Sequence, residues 1–314
     1  MNNNWQHNAR NTLKGADNCN AFFQSQQFQD QSFPIKIPLE FASLIDKDNP
    51  NDPLLKQVIP SIKPQIETLD FSIEPLKDEE NSPVAGLIHK YPNRVLLITS
   101  RVCAIHCQYC FRQNFNYIGH DAVSNYLAIE DYIYRHPKIN EVILSGGDPL
   151  SLSDEKLAQL IKGIENIPHI KNLRIHTRSA VVTPSRITEK LIKLLSQSRL
   201  NVVLVTHVNH ANELSNDFAK AIQALSGVTL LNQSVLLKGV NDSVSTLSKL
   251  SMGLFELGIL PYYLHLLDKV RGAEHFLVSD EEAQQLHKVL QKQLSGYLVP
   301  RLVRDENLAA KTWV

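Results

Sequence analysis

Residues 101–112 read RVCAIHCQYCFR and place three of the four cysteines of the chain, Cys103, Cys107 and Cys110, within eight residues. Three thiolates in a Cys-x3-Cys-x2-Cys pattern can hold three irons of a cubane [4Fe–4S] cluster and leave the fourth iron without a protein ligand, whereas electron-transfer ferredoxins use four cysteines. The spacing therefore predicts a cluster ligated by these three cysteines, with one iron open to chemistry.

The same stretch has two other interpretations, a zinc site completed by His106 and a disulfide with a spare thiol. Structural zinc sites usually combine two Cys-x2-Cys knuckles or add a His pair, and the sequence has no second knuckle. The fourth cysteine, Cys19, has no partner at a ligand spacing, so it is expected to be an ordinary small side chain. The pattern favours the cluster, with zinc as the alternative.

Composition indicates an ordinary globular protein with a small-molecule partner. The 314 residues are 43% hydrophobic and 20% charged, which allows one large domain or two smaller ones. Lys+Arg and Asp+Glu both number 32, so no net charge favours nucleic acid or an anionic membrane. The first residues lack a signal-peptide pattern and no apolar run reaches the length of a membrane span. A cytoplasmic location is expected, where reduced thiols suit an iron–sulfur cluster.

From residue 94 onward, short apolar strands alternate with amphipathic helices. The predicted strands are 94–99, 141–145, 173–177, 202–207, 228–236 and 262–267. Ser153 and Ser279 precede acidic residues as helix N-caps do. Six successive βα units require parallel strands with right-handed crossovers, in either a doubly wound sheet or an incomplete barrel. Periodicity alone leaves both α/β architectures open.

Polar residues follow several of these strands. Ser145-Gly146-Gly147-Asp148 comes after the second strand, and Arg178, His207 and Gln233 lie at the ends of later ones. The carboxyl ends of parallel strands meet at one edge, so these groups are expected to line a polar ligand site. A buried network made only of protein groups is the alternative.

Several segments in the same order resemble the lysine 2,3-aminomutase family of the radical S-adenosylmethionine (SAM) superfamily, from about residue 48 to the end. They are the cysteine loop, YPNRVL (91–96), SGGD (145–148), THVNH (206–210), NQSVLL (232–237) and PYYLH (261–265). The resemblance selects the partial (βα)6 barrel. It implies a mostly helical N-terminal extension over 1–90, the barrel over 91–275, and a C-terminal helix and cofactor-lysine segment over 276–314.

The resemblance implies three cofactors: the [4Fe–4S] cluster, SAM on its open iron, and pyridoxal 5′-phosphate (PLP). The SGGD segment would bind SAM, with Asp148 where many superfamily members have Glu. Further cofactor contacts are expected from Arg178, His207 and Gln233, and a PLP pocket from Tyr91 and Arg94. The PLP lysine would be Lys311, although the family's glycines before it are missing here.

For the substrate, the resemblance assigns the carboxylate to Arg112 and a distal ammonium to Asp268 and Asp305, which favours lysine. Each carboxylate could instead pair with a neighbouring base, Asp268 with Lys269 or Arg271 and Asp305 with Arg304.

The implied activity is conversion of L-α-lysine to (R)-β-lysine by a 5′-deoxyadenosyl radical. No cysteine follows Cys110, so the zinc-binding region of larger members is not expected. In this the chain resembles the short bacterial form of the family, which implies that its β-lysine is attached to translation elongation factor P by a partner ligase. The reductant and a homo-oligomeric state stay open. The alternatives are a radical SAM enzyme without PLP that acts on another substrate and a non-catalytic metal-binding partner protein.

Overall fold

The computed structural model describes residues 5–60, 70–76, 78–117 and 119–305, and the backbone alone at 312–313. The first elements are α1 (Trp5–Arg10), β1 (Thr12–Lys14), α2 (Gly15–Phe23), β2 (Lys36–Pro38), α3 (Leu39–Ala42) and α4 (Pro53–Lys56). Strands β1 and β2 form a small antiparallel pair. This N-terminal extension is therefore a mixture of short helices and a hairpin-like pair.

A nine-stranded sheet forms the body of the protein. Its strands are β3 (Leu87–Tyr91), β4 (Arg94–Ser100), β5 (Glu141–Gly146), β6 (Asn172–Thr177), β7 (Asn201–Thr206), β8 (Thr229–Val235), β9 (Leu260–His265), β10 (Arg301–Arg304) and β11 (Thr312–Trp313). The strands are hydrogen-bonded in chain order from β3 to β11. Strands β4 to β10 are parallel, whereas β3 and β11 are antiparallel edge strands.

Helices connect the parallel strands. They are α5 (Tyr126–Tyr134), α6 (Asp154–Glu165), α7 (Ser179–Val182), α8 (Glu189–Ser196), α9 (Asn216–Gln223), α10 (Val244–Glu256) and α11 (Asp280–Gln293). The predicted N-caps are confirmed: Ser153 accepts a hydrogen bond from the Lys156 amide, and Ser279 forms a capping box with Glu282.

The six predicted strands are confirmed, each within two residues of its observed bounds. Alternation places one face of each strand against the helices; on β6, Leu173 and Ile175 are fully buried while Arg174 and His176 are less so. Strand β10 was not predicted from the sequence. It has four residues with an arginine at each end, so it lacks an apolar run, and only pairing with β9 after α11 makes it a strand.

The N-terminal extension packs against the barrel helices. Cys19, Phe23 and Phe41 belong to the same buried cluster as Leu157 and Leu191 of the barrel helices. The extension thus shares its core with the barrel, and Cys19 is a buried member of it. The division into three domains stays a prediction. Within the described ranges, each helix is too short or too polar to cross a membrane.

Candidate functional site

The cysteine loop leaves the carboxyl end of β4 and crosses directly over the end of β5. The Gly147 amide donates to Ser100 O at 2.6 Å, and the Asp148 amide donates to Val102 O at 3.0 Å. A Cβ atom on Gly147 would lie 2.7 Å from Val102 O, closer than van der Waals contact allows. Gly146 has a φ of +108°, which side-chain-bearing residues rarely adopt. The glycine pair is therefore needed to let two backbones touch.

The three cysteines of this loop are partly exposed, but their thiols are largely surrounded by protein atoms. Burial raises the pKa of Cys110 to about 12, and the neighbouring Cys107 adds to the rise. Burial also raises the pKa of Cys107 and, with Cys110 and Asp148 nearby, that of Cys103. Thiolates are stable in such a place when bound metal supplies positive charge. The donor set therefore fits an iron–sulfur cluster.

The zinc alternative finds no support in the described part of the chain. No three His, Cys, Asp or Glu side chains in it are arranged to hold one metal ion. A cubane cluster differs from zinc in spreading its cysteines over several irons.

The N-terminal extension holds the cysteine loop through hydrogen bonds that the sequence did not reveal. Lys36 Nζ donates to Cys103 O at 2.5 Å, and the His106 amide donates to Lys36 O at 3.0 Å. The Gln108 amide donates to Gln57 O at 3.0 Å. Most of these contacts use backbone atoms, which leave no residue-type signal. Sequence reasoning therefore found no functional motif before residue 91.

Behind the loop, the Tyr109 hydroxyl is the centre of a buried network. Arg178 Nη1 donates to it, Asn209 Nδ2 donates to it at 2.6 Å, and His207 Nε2 lies 2.9 Å away. Burial and the charge of Arg178 hold the pKa of His207 well below its ordinary value. His207 is therefore neutral, and its Nε2 can accept a hydrogen bond from the Tyr109 hydroxyl.

A buried ion pair completes this network. Arg178 Nη2 lies 3.2 Å from Glu213 Oε2 and donates to Gln57 Oε1 at 2.8 Å. Glu213 Oε1 accepts from the amides of Asn209 at 2.9 Å and His210 at 3.0 Å. Arg178 and His207 thus have protein partners, and their roles as cofactor residues stay predictions. Gln57 and Glu213 were missed because neither lies in a motif.

Three donors near the loop have no partner in the residues described. They are Gln108 Nε2, Arg178 Nε and Ser179 Oγ, all inaccessible to solvent. Buried polar atoms are rarely left unsatisfied in proteins, so a polar ligand beside the loop would suit them. This observation fits the predicted SAM site.

Asp148 is engaged by the protein around it. Its carboxylate accepts from the Leu150, Arg178 and Ser179 amides at 2.8 to 2.9 Å, and from Thr177 Oγ1. These bonds hold the ends of β5 and β6 together. Asp148 therefore positions the glycine pair, and any SAM contact from the SGGD segment is expected from its backbone and Ser145.

Arg112 lies in a small charged cluster beside the loop. Its Nε and Nη2 atoms both lie 2.9 Å from Asp78 Oδ2, while Lys90 Nζ lies 3.0 Å from Asp78 Oδ1. Burial opposes ionisation of Asp78, but the two cations outweigh burial and lower the pKa of this carboxyl. Arg112 Nη1 points towards Ser145 Oγ, 3.5 Å away. Asp78 is a further residue that sequence reasoning missed.

The two predicted ammonium ligands follow neighbouring strands. Asp268 comes after β9 and Asp305 directly after β10, so both lie at the carboxyl edge that carries the cysteines. Asp268 contributes to the raised pKa of Cys110, which places it near the loop. Lys311 lies outside the described residues. The backbone of Thr312, which follows it, pairs with Arg304 at the same edge.

Tyr91 and Arg94 lie at the amino end of β4, opposite to the end that carries the cysteine loop. The Arg94 guanidinium stacks 3.7 Å from the centre of the Tyr91 ring, at the amino end of β4. Six residues of strand, about 20 Å, separate Arg94 from the start of the cysteine loop. A PLP site that includes this pair would have to extend along the barrel interior.

Basic groups also occur within the barrel itself. Arg174 pairs with Glu141 at 2.9 Å. Burial raises the pKa of Tyr263 to about 12, with Arg174 and Arg301 opposing the rise. Gln233 is half-buried on the neighbouring strand β8, where it pairs in register with Tyr263. Arginine and tyrosine groups in this position fit a phosphate, as a PLP cofactor would require.

Comparison with known protein sequences agrees with this arrangement. A family model described as the Radical SAM superfamily matches residues 97–243. The chain is 52% identical over 277 residues to the L-lysine 2,3-aminomutase of Haemophilus influenzae, covering 87% of this chain and 82% of the relative. It is 48% identical to the enzyme of that name from Escherichia coli, covering 87% and 80%. With that of Clostridium subterminale it shares 35% over 314 residues, covering 96% and 75%.

A solved structure shows the same fold. The radical SAM methyltransferase from Sphaerobacter thermophilus superposes with a TM-score of 0.50 and 17% sequence identity, covering 71% of this chain and 69% of that one. At that identity the likeness concerns the fold alone. Together with the match to the Radical SAM family model, it confirms the predicted radical SAM α/β fold.

The first testable prediction concerns the glycine pair. Gly147→Ala should push the cysteine loop away from β5, because its Cβ would lie 2.7 Å from Val102 O. We expect less iron and sulfide per chain after anaerobic reconstitution. Gly296→Ala is the control, since nothing lies within 4 Å of a Cβ there. Equal iron content in the two variants would contradict the proposed packing.

The second prediction concerns the buried ion pair. Glu213→Gln should leave the buried Arg178 without a counter-ion. It also replaces one carboxylate oxygen by an NH2 group, which would face N–H groups that need an acceptor. The expected loss in free energy of unfolding is on the order of 3 to 5 kcal/mol, measured by urea denaturation. Asp131→Asn, which breaks an exposed pair with Arg135, should cost no more than about 0.5 kcal/mol. Similar losses for both variants would refute the inference that Glu213 stabilises the fold by pairing with the buried Arg178.

Proposed function

The chain belongs to the lysine 2,3-aminomutase family of the radical SAM superfamily, and from this premise we propose that it converts L-lysine to (R)-β-lysine. The observation that carries the proposal is the placing of Arg112, Asp268 and Asp305 at the same sheet edge as the three cysteines. One arginine and two carboxylates there complement an amino acid with a carboxylate at one end and an ammonium at the other.

Different groups of the protein bind the cluster, SAM and the substrate. Cys103, Cys107 and Cys110 hold the cluster, and the end of β5 supports SAM beside it. When bound, the cluster and SAM supply the 5′-deoxyadenosyl radical, and PLP supplies the conjugated system through which the amino group moves. Arg112 holds the substrate carboxylate, which fixes the reacting carbons relative to the loop. The N-terminal extension and the buried network hold the loop in position.

The proposal includes PLP as a third cofactor of this site. Lys311 is the proposed attachment site, supported by the Lys-Thr sequence and by the pairing of Thr312 with Arg304. Tyr91 and Arg94 are proposed to serve its pocket, together with the basic groups of the barrel interior. A lysine for the carbonyl group and arginines for the phosphate are what PLP requires.

The third prediction tests the activity and the PLP lysine together. Anaerobic incubation with SAM, PLP, a reductant and L-lysine should yield β-lysine, detected by chiral chromatography. Lys311→Ala should abolish the PLP absorbance band and the product while retaining the iron. Lys292→Ala, at an exposed helical lysine, is the control and should behave as the unsubstituted protein.

The results separate the proposal from its rivals. Cluster-dependent cleavage of SAM without bound PLP or β-lysine would indicate a radical SAM enzyme that acts on another substrate. A protein that binds zinc without sulfide would be a metal-binding partner instead. An unchanged PLP band in Lys311→Ala would show that another lysine carries the cofactor.

We also propose a destination for the product. Resemblance to the short bacterial form supports the attachment of β-lysine to elongation factor P by a partner ligase. Deleting the gene should remove the β-lysyl mass increment from elongation factor P, and an unchanged mass would reject this role. The proposed partners are thus L-lysine, this modification system and a cellular reductant. Light scattering would establish whether the protein is a homo-oligomer.

A further inference from the structure

Asp78 comes from the segment before β3 and reaches the predicted carboxylate-binding arginine. Both side chains are almost fully enclosed, with 5% of Asp78 and 9% of Arg112 accessible. Asp78 Oδ2 accepts a hydrogen bond from Nε of Arg112 at 2.9 Å and lies 2.9 Å from its Nη2. A buried carboxylate with this geometry fixes the plane of the guanidinium.

The contact leaves the other edge of the guanidinium available. Arginine has five N–H donors, and Asp78 uses the edge formed by Nε and Nη2. The Nη1 side faces Ser145 at the end of β5, where its hydrogen bond to Ser145 Oγ is a long one of 3.5 Å. That edge carries enough donors for a second carboxylate, bound in the bidentate manner that arginine favours.

Asp78 also offsets positive charge beside Arg112. Arg112 and Lys90 bring two positive charges, and Asp78, which contacts both, neutralises one of them. Glu74 adds a further carboxyl group near Lys90 and Asp78. Without Asp78, two cations would repel each other in a buried place and Arg112 would be free to turn.

The segment that carries Asp78 is tied to the other end of the predicted substrate site. The Ser72 amide donates to Lys269 O at 2.9 Å, and the Arg271 amide donates to Ser72 O at 3.0 Å. These bonds lie one to three residues beyond Asp268. The segment thus contacts the loop of one predicted substrate residue and the side chain of the other.

We propose that Asp78 is a positioning residue for substrate recognition, which rests on the proposed function. It holds Arg112 so that the Nη1 side meets the α-carboxylate of the amino acid. Through its contacts at Ser72 and Asp78, the same segment fixes the position of Arg112 relative to the loop that carries Asp268.

The fourth prediction separates positioning from a general structural role. Asp78→Asn keeps the size of the side chain and removes its charge. We expect the affinity of the reconstituted holoenzyme for L-lysine, measured by titration calorimetry without reductant, to fall about tenfold. Binding of L-lysinamide, which lacks the carboxylate, should change little. Asp131→Asn is the matched control, because it removes the charge of an exposed paired aspartate.

Asp78→Glu guards against loss of folding in the first variant. It retains the charge, so the preference for L-lysine over L-lysinamide should recover towards that of the unsubstituted protein. The proposal is overturned if Asp78→Asn binds L-lysine normally, if both ligands weaken equally, or if Asp78→Glu restores no preference. Failure of the unsubstituted holoenzyme to bind L-lysine would instead reject the proposed function, and this inference with it.

Discussion

The structure of the site depends on one buried charge, the guanidinium of Arg178. Because a charge in a low-dielectric interior must be paired, Arg178 requires Glu213, whose side chain is fully enclosed. The same guanidinium binds Tyr109 of the cysteine loop and Gln57 of the N-terminal extension. One unavoidable pairing thereby fixes three parts of the chain relative to each other: the loop, the barrel and the extension.

The N-terminal extension belongs to the site for the same reason. It contributes Gln57 to the buried network, Lys36 to the backbone of Cys103, and several apolar residues to the common core. A segment with these contacts cannot be separated from the barrel without exposing buried polar groups. The cysteine loop therefore depends on residues about 50 to 70 positions earlier in the sequence.

The parallel sheet explains which predicted residues come together. Strands that run in one direction bring their carboxyl ends to one edge, so the cysteine loop, the SGGD segment, His207 and Asp268 converge there. Tyr91 ends β3 and Arg94 begins β4 in the hairpin of these strands, so both lie at the opposite end of β4. Two basic groups lie on other strands of the sheet: Arg174 on β6, which pairs with Glu141, and Arg301 at the start of β10.

The sequence alone determined the features that local spacing encodes: the clustering of three cysteines in one loop, six of the parallel strands, the helix caps and the glycine pair. These depend on neighbours in the chain, so a short stretch contains the whole signal. The tertiary structure decided the partners of the charged side chains. Asp78 meets Arg112 from 34 residues away, and Gln57 meets Arg178 from 121. No local pattern records such pairs, because burial selects them only after distant segments have packed together.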